Sequence, residues 1–144
     1  MPELYPSNGT YIIYNRVLSP NGKQLAMTFN GNGQSITATP LNAQDTKQQW
    51  VVQRYGPGRT GGSVYEIKPV ENRNLEAGGS NNGTIVTIPV GSYVFSIYQD
   101  DTGYLIKNGD RQYPWALSPA ADGSSVIASS DSADEKQRWW FQPV

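Results

Sequence analysis

The sequence contains no histidine and no cysteine, and this removes most of the reactive chemistry open to a chain of its size. Without imidazole there is no Ser-His-Asp relay, without thiol no cysteine nucleophile, and without either no His/Cys zinc site. Twelve carboxylates remain. A pair flanking a glycosidic bond would serve a glycosidase, and a cluster would hold calcium. Asp100 and Asp101 are adjacent, but Thr102-Gly103 follows them, which reads as a turn, and neighbours on a strand face opposite ways. The acidic stretch from Asp131 to Glu135 reads as a solvated loop. Asn8-Gly9-Thr10 and Asn82-Gly83-Thr84 match the N-glycosylation pattern, which matters only to a secreted chain. No catalytic residues, no metal and no cofactor are therefore expected.

The chemistry left to the chain is that of its aromatic rings, four tryptophans, nine tyrosines and three phenylalanines. Net charge is −1, with eleven basic and twelve acidic residues scattered along the chain. Nothing marks a nucleic-acid stripe or an anionic-membrane patch, and no apolar run approaches the roughly 20 residues of a spanning helix. Met1–Pro6 carries neither a basic region nor an apolar one. Together with the lack of cysteine, this leads to the expectation of a cytoplasmic protein.

The elements that must position these rings are short and β-rich. Runs such as Tyr11–Tyr14, Val64–Lys68, Tyr93–Tyr98 and Gly103–Lys107 alternate with Asn-Gly and Asp-Gly dipeptides, which supply the positive φ of tight hairpins. A weaker strand near Asn74–Ala77 brings the expected number to twelve. Tyr-x-Ile recurs as Tyr11-Ile12-Ile13, Tyr65-Glu66-Ile67 and Tyr104-Leu105-Ile106, and each occurrence opens a block of four strands. Each block closes on an aromatic residue, Trp50, Phe95 or Trp139. Three such blocks, approximately residues 8–60, 61–102 and 103–144, predict a single all-β domain, a β-trefoil of twelve strands in three pseudo-repeats.

Gln48-Gln49-Trp50 and Gln137-Arg138-Trp139 resemble the Gln-x-Trp closure of ricin-B-type lectins. The run Tyr11-Ile12-Ile13-Tyr14-Asn15-Arg16-Val17-Leu18-Ser19-Pro20, with Thr39-Pro40-Leu41, Ile67-Lys68-Pro69-Val70 and Tyr93-Val94-Phe95, resembles the small cytoplasmic mushroom lectins that bind α1,3-fucosylated chitobiose. The resemblance implies a non-enzymatic defence lectin, toxic to nematodes or insects, whose partner is a fucosylated, GlcNAc-containing glycan of the N-glycan core type; for the oligomeric state a monomer is the favoured expectation. It implies one sugar site, in the second repeat. There Ser92, Tyr93, Val94 and Phe95 match an Asn-Tyr-Val-Trp stretch, and Tyr55 matches a contact tyrosine. Ile88 matches an apolar contact. Ala77 stands where the family carries a tryptophan platform, and Gly78 and Gly79 would let the ligand approach the backbone.

Rings suit this task because a sugar presents apolar C–H faces inside a polar rim. Covering such a face with an aromatic ring gains dispersion and burial energy, while fixed backbone groups pair with its hydroxyls. Trp115 and Trp140 are candidates for a further sugar site, with core packing the favoured reading for each. The competing function is a β-trefoil protease inhibitor of the mushroom type, presenting Asn30–Gly33 or Pro57–Gly62 to its target.

Overall fold

Every Tyr-x-Ile motif lies in a strand that opens one block of the computed structural model, which describes residues 6–54, 64–80, 82–91, 93–108 and 113–144. The first block comprises β1 (Gly9–Asn15), β2 (Leu25–Thr28), β3 (Thr37–Pro40) and β4 (Gln49–Arg54). The second comprises β5 (Val64–Pro69), β6 (Leu75–Gly79), β7 (Ile85–Pro89) and β8 (Phe95–Asp100). The third comprises β9 (Gly103–Asn108), β10 (Trp115–Leu117), β11 (Ser124–Ala128) and β12 (Trp139–Pro143).

The first and last strands of each block make a closed barrel. β1 pairs with β4 and β12, β5 with β4 and β8, and β9 with β8 and β12, all antiparallel. The ring of pairings leaves these strands no free edge. Its register repeats three times: Tyr11 lies opposite Trp50, Tyr65 opposite Phe95, and Tyr104 opposite Trp139. Alternation then sends Ile13, Ile67 and Ile106 inward, all without exposure, next to the wholly buried Trp50 and Trp139.

The middle strands of each block form hairpins that close one end of the barrel. They are stitched to one another by Ser124 and Ser125 opposite Ala38 and Thr37, by Ser35 opposite Val86, and by Thr84 opposite Ile127. Barrel and hairpin triplet together are a β-trefoil. The hairpins also share a register, since Met27 faces Ala38, Ala77 faces Thr87, and Trp115 faces Ala128. Met27, Ala77 and Trp115 therefore occupy one structural position in three copies, and all three are fully buried. Gly83 and Gly123, at the turns of the second and third hairpins, both adopt φ of 84°, a left-handed conformation suited to glycine.

Two details differ from the sequence expectation. The weak strand runs from Leu75 to Gly79, two residues further than expected, and β8 starts at Phe95, so Tyr93 and Val94 belong to the preceding loop. Among the described residues no helix is long and apolar enough to cross a membrane.

Candidate functional site

The closing loops explain why the second repeat is unlike the other two. In the first repeat a 3-10 turn, Thr46–Gln48, is capped by Asp45, whose side chain accepts from the Lys47 N–H. Gln48 is buried behind it, donating to the Thr39 hydroxyl and the Pro40 carbonyl, both at 2.9 Å, and accepting from the Asn42 N–H at 2.7 Å. The third repeat copies this arrangement with Asp134, Glu135–Gln137 and a buried Gln137 that bonds Ser129, Ser130 and Ser132. Each glutamine stands two residues before its tryptophan. In the second repeat that position is held by Tyr93, two residues before Phe95, and Tyr93 is 39% exposed while Gln48 is 1% exposed.

The loop around Tyr93 is held from a different direction. Glu76, in β6, is fully buried, and its Oε2 accepts the N–H of Gly91 at 2.7 Å and that of Tyr93 at 2.9 Å. Its other oxygen makes no hydrogen bond among the described residues. Sequence reasoning missed Glu76, because a buried carboxylate cannot be told from a surface one by residue type. Glu66 faces the same spot from β5. Burial is the main influence on its carboxyl, the ammonium of Lys68 at 3.9 Å opposes that influence, and the nearby Glu76 adds to it, leaving the Glu66 pKa above the ordinary glutamate range. The two glutamates form a carboxyl pair that the sequence did not reveal. With Glu76 shut away from solvent, the pair offers no open face to a glycosidic bond.

Tyr93 projects over a strip with no side chains. A Cβ added at Gly79 would sit 2.6 Å from the Tyr93 hydroxyl, and one at Gly78 would sit 2.5 Å from Ile88 Cδ1 and 3.4 Å from the Tyr93 ring. The ring thus lies on backbone, with Ile88 half-buried alongside it. Val90 is 43% exposed, and Val94 is half-buried. Beneath Tyr93 the ring of Phe95 lies 5.2 Å away at a tilt of 33°. The result is an exposed aromatic face on a rigid support, flanked by apolar side chains.

The expected site residues separate accordingly. Tyr93, Val94, Ile88, Gly78 and Gly79 come together; both glycines support Tyr93, Gly78 from a buried position and Gly79 while also lining the cleft beside it. Phe95, 1% exposed, forms the base of the site. Ala77 must be corrected: it is fully buried in the core, so its side chain presents nothing to a sugar. Tyr55 and Ser92 lie outside the described residues. Beside Tyr93, toward the third repeat, a cleft of about 320 Å³ opens between the β6–β7 turn and the start of β10. Asp100 is the last residue of β8, at the edge of the turn that Asp101 and Thr102 make, its Oδ1 accepting the Thr102 N–H at 2.8 Å and its Oδ2 pairing with Arg138 at 2.9 Å. Trp115 is core, and Trp140 is half-buried. Among the described residues no cluster of three or more carboxylates is placed to hold a metal ion.

Residues 9–139 match the family model for CCL2-like proteins, described as CCL2 lectin-like. No curated protein is significantly similar in sequence. Among solved structures, the Rhizoctonia solani agglutinin is 20% identical with a TM-score of 0.76, over 99% of this chain and all of the other. The Macrolepiota procera ricin B-like lectin, solved in complex with lactose, is 18% identical with a TM-score of 0.71, over 99% of this chain and all of that one. A mosquitocidal holotoxin is 17% identical with a TM-score of 0.80; the match covers 96% of this chain, which spans only 18% of the toxin. At these identities the structural likenesses establish the fold.

Proposed function

The chain belongs to the CCL2-like lectin family, and we propose that it recognises fucosylated, GlcNAc-containing glycans of the N-glycan core type through one site on the second repeat, centred on Tyr93. The family and the ricin-B-like β-trefoil fold are those of a non-enzymatic carbohydrate-binding protein. One observation carries the assignment of the site. Tyr93 occupies the place where the other two repeats bury a glutamine, and it is held out there by hydrogen bonds from its own loop to Glu76.

A sugar ring laid on Tyr93 would bury an apolar face on the tyrosine and its edges against Ile88 and Val94. The backbone of the Tyr93–Val94 loop would pair with the sugar hydroxyls, and because Glu76 fixes that loop, little ordering entropy is lost on binding. Tyr55 and Ser92 complete the proposed contact set through the resemblance of their sequence positions. In this reading the protein is a monomeric, cytoplasmic defence lectin that acts on animals whose glycans carry the core fucose.

The inhibitor reading gains no support. Asn30–Gly33 does not project as a reactive loop: the Gly33 N–H donates to the Thr87 carbonyl at 2.7 Å, and the Thr87 hydroxyl donates to the Gly31 carbonyl at 2.6 Å, tying the segment to the second repeat. Pro57–Gly62 lies outside the described residues. A glycan array tests the proposal. Signals confined to fucosylated chitobiose structures are expected, and an array on which those structures are silent would overturn the assignment. Feeding the protein to nematodes with and without core α1,3-fucose tests the proposed role, with equal survival counting against it.

A further inference from the structure

The side chain that anchors the Tyr93 loop has one oxygen to spare. Glu76 Oε2 accepts the N–H groups of Gly91 and Tyr93. Its Oε1 is shut off from solvent and has no hydrogen-bond partner among the described residues. Buried polar atoms are almost always paired, and the group placed to pair with this one is a second carboxyl. Glu66 stands on the outer face of β5, between the inward-facing Tyr65 and Ile67, and its side chain lies within hydrogen-bonding reach of Glu76. Two ionised carboxylates only accept hydrogen bonds and repel each other; two carboxyls sharing one proton bond to each other.

Among the described residues, few other charged groups face the pair. On β5 the Lys68 ammonium lies 3.9 Å from Glu66 Oε2. β4 sets the neutral Gln53 opposite Glu66, and its Arg54 turns to the hydroxyl and ring of Tyr65. β6 and β7 carry no titratable side chain besides Glu76. β8 pairs with β5 at Val64 and Tyr65, while its own Tyr98 and Asp100 lie by Lys107 and Arg138. The loop before β8 adds the Tyr93 hydroxyl, which lies over Gly79.

We propose that Glu66 is a positioning residue for the sugar platform: one proton held between Glu66 and Glu76 occupies the spare oxygen, fixes the Glu76 side chain and thereby holds the Tyr93 loop in its binding path. Glycan affinity is then coupled to pH. The Glu66 side chain is 16% exposed, so the proton exchanges with solvent there, whereas Glu76 is sealed off. When the proton leaves, the carboxylates repel, Glu66 swings toward Lys68 and water, and Glu76 Oε1 is stranded. The protonated pair is the form that holds the loop, so affinity falls as pH rises through the titration of the pair. Burial places that titration above the ordinary glutamate range for Glu66, with Lys68 opposing. This role of Glu66 rests on the reading of Tyr93 as a sugar platform and adds regulation to it.

Two measurements on the whole protein, with α1,3-fucosylated chitobiose as the probe, decide it. Titration calorimetry from the ordinary glutamate range up to neutral pH should show the parent losing about fivefold in affinity, the low end of coupling between sites. Glu66→Gln, whose amide donates to Glu76 at any pH, should bind across the range as tightly as the parent does at its acidic end. Glu66→Ala offers no donor and should bind weakly throughout. Lys68→Met should move the parent's transition to higher pH. In 15N-correlated spectra without glycan, the amide signals of Gly91 and Tyr93 should titrate in the parent and stay in place in Glu66→Gln, with unfolding transitions showing that each variant is folded. An affinity flat with pH in the parent, a pH dependence that survives Glu66→Gln, or stationary Gly91 and Tyr93 signals overturns the role of Glu66. If Tyr93→Ala abolishes binding in that case, the platform stands without it; if the parent binds no probe at any pH, both fall.

Discussion

The carboxylate of Glu76 accepts the backbone N–H of Tyr93 at 2.9 Å from a position with no solvent exposure. The same oxygen accepts from Gly91, so one buried side chain sets the path of the loop that carries the exposed ring. Glu76→Ala should lower stability by about 1–3 kcal/mol, the range for leaving a buried donor unpaired, and should weaken glycan binding even though Glu76 touches no sugar. Glu76→Gln keeps an acceptor and should lose less of both. Urea denaturation and titration calorimetry together check this; a stable Glu76→Ala variant with full affinity would show that the loop holds itself.

Gly79 offers a change that disturbs the ring alone. An added Cβ would fall 2.6 Å from the Tyr93 hydroxyl, the free end of an exposed side chain, which can swing aside at little cost. Gly79→Ala should therefore shift stability by less than about 1 kcal/mol while reducing glycan affinity about tenfold. An affinity equal to the parent's would mean that the orientation of Tyr93 over the glycine strip is irrelevant to binding.

The base of the site belongs to the core and should respond as core. Phe95→Ala should cost about 3–5 kcal/mol. Ala77→Trp inserts a large ring at a position with no free surface, and should destabilise by at least about 1–3 kcal/mol rather than improve recognition. Thermal melts of both variants read this directly. A stable Ala77→Trp variant with tighter binding would restore the platform role that burial denies to position 77.

The fold was legible because its repeats are written in residue types that have few other uses. Tyr-x-Ile and the closing aromatics mark inward positions of equivalent strands, and Asn82-Gly83 and Asp122-Gly123 mark turns that need a left-handed residue. The same alignment of blocks sets Tyr93 opposite Gln48 and Gln137, a signal that was present in the sequence and that points to the one repeat with an open position. Glu76 was not legible. Its hydrogen bonds span fifteen and seventeen residues, and glutamate is a residue that is rarely buried. Ala77 was misplaced because spacing from a glycine turn does not say which way a side chain faces; the pairing with Thr87 does.

The carboxyl pair gives the protein a pH signature of definite sign. Burial first, and Glu76 second, raise the pKa of Glu66 above its ordinary value despite Lys68. The folded chain then binds that proton more tightly than the unfolded chain, so this group favours folding increasingly as pH falls through its raised value toward the ordinary glutamate range. Asp131 works in the opposite sense. Its hydrogen bond from Lys107 holds its pKa down, and the stability it adds is lost only as pH falls below the ordinary aspartate range. Glu66→Gln should therefore be at least as stable as the parent at neutral pH, with the difference shrinking as pH falls through the Glu66 range. Urea denaturation of both proteins across that range checks it, and a difference independent of pH would contradict the pairing.

Titration calorimetry of α1,3-fucosylated chitobiose into the parent protein and into Tyr93→Ala addresses the central claim most directly. The account predicts saturable binding to the parent, and no detectable heat from the variant, whose unfolding transition stays in place because the lost side chain is exposed. Equal binding by the two proteins, or no binding to the parent, would contradict it.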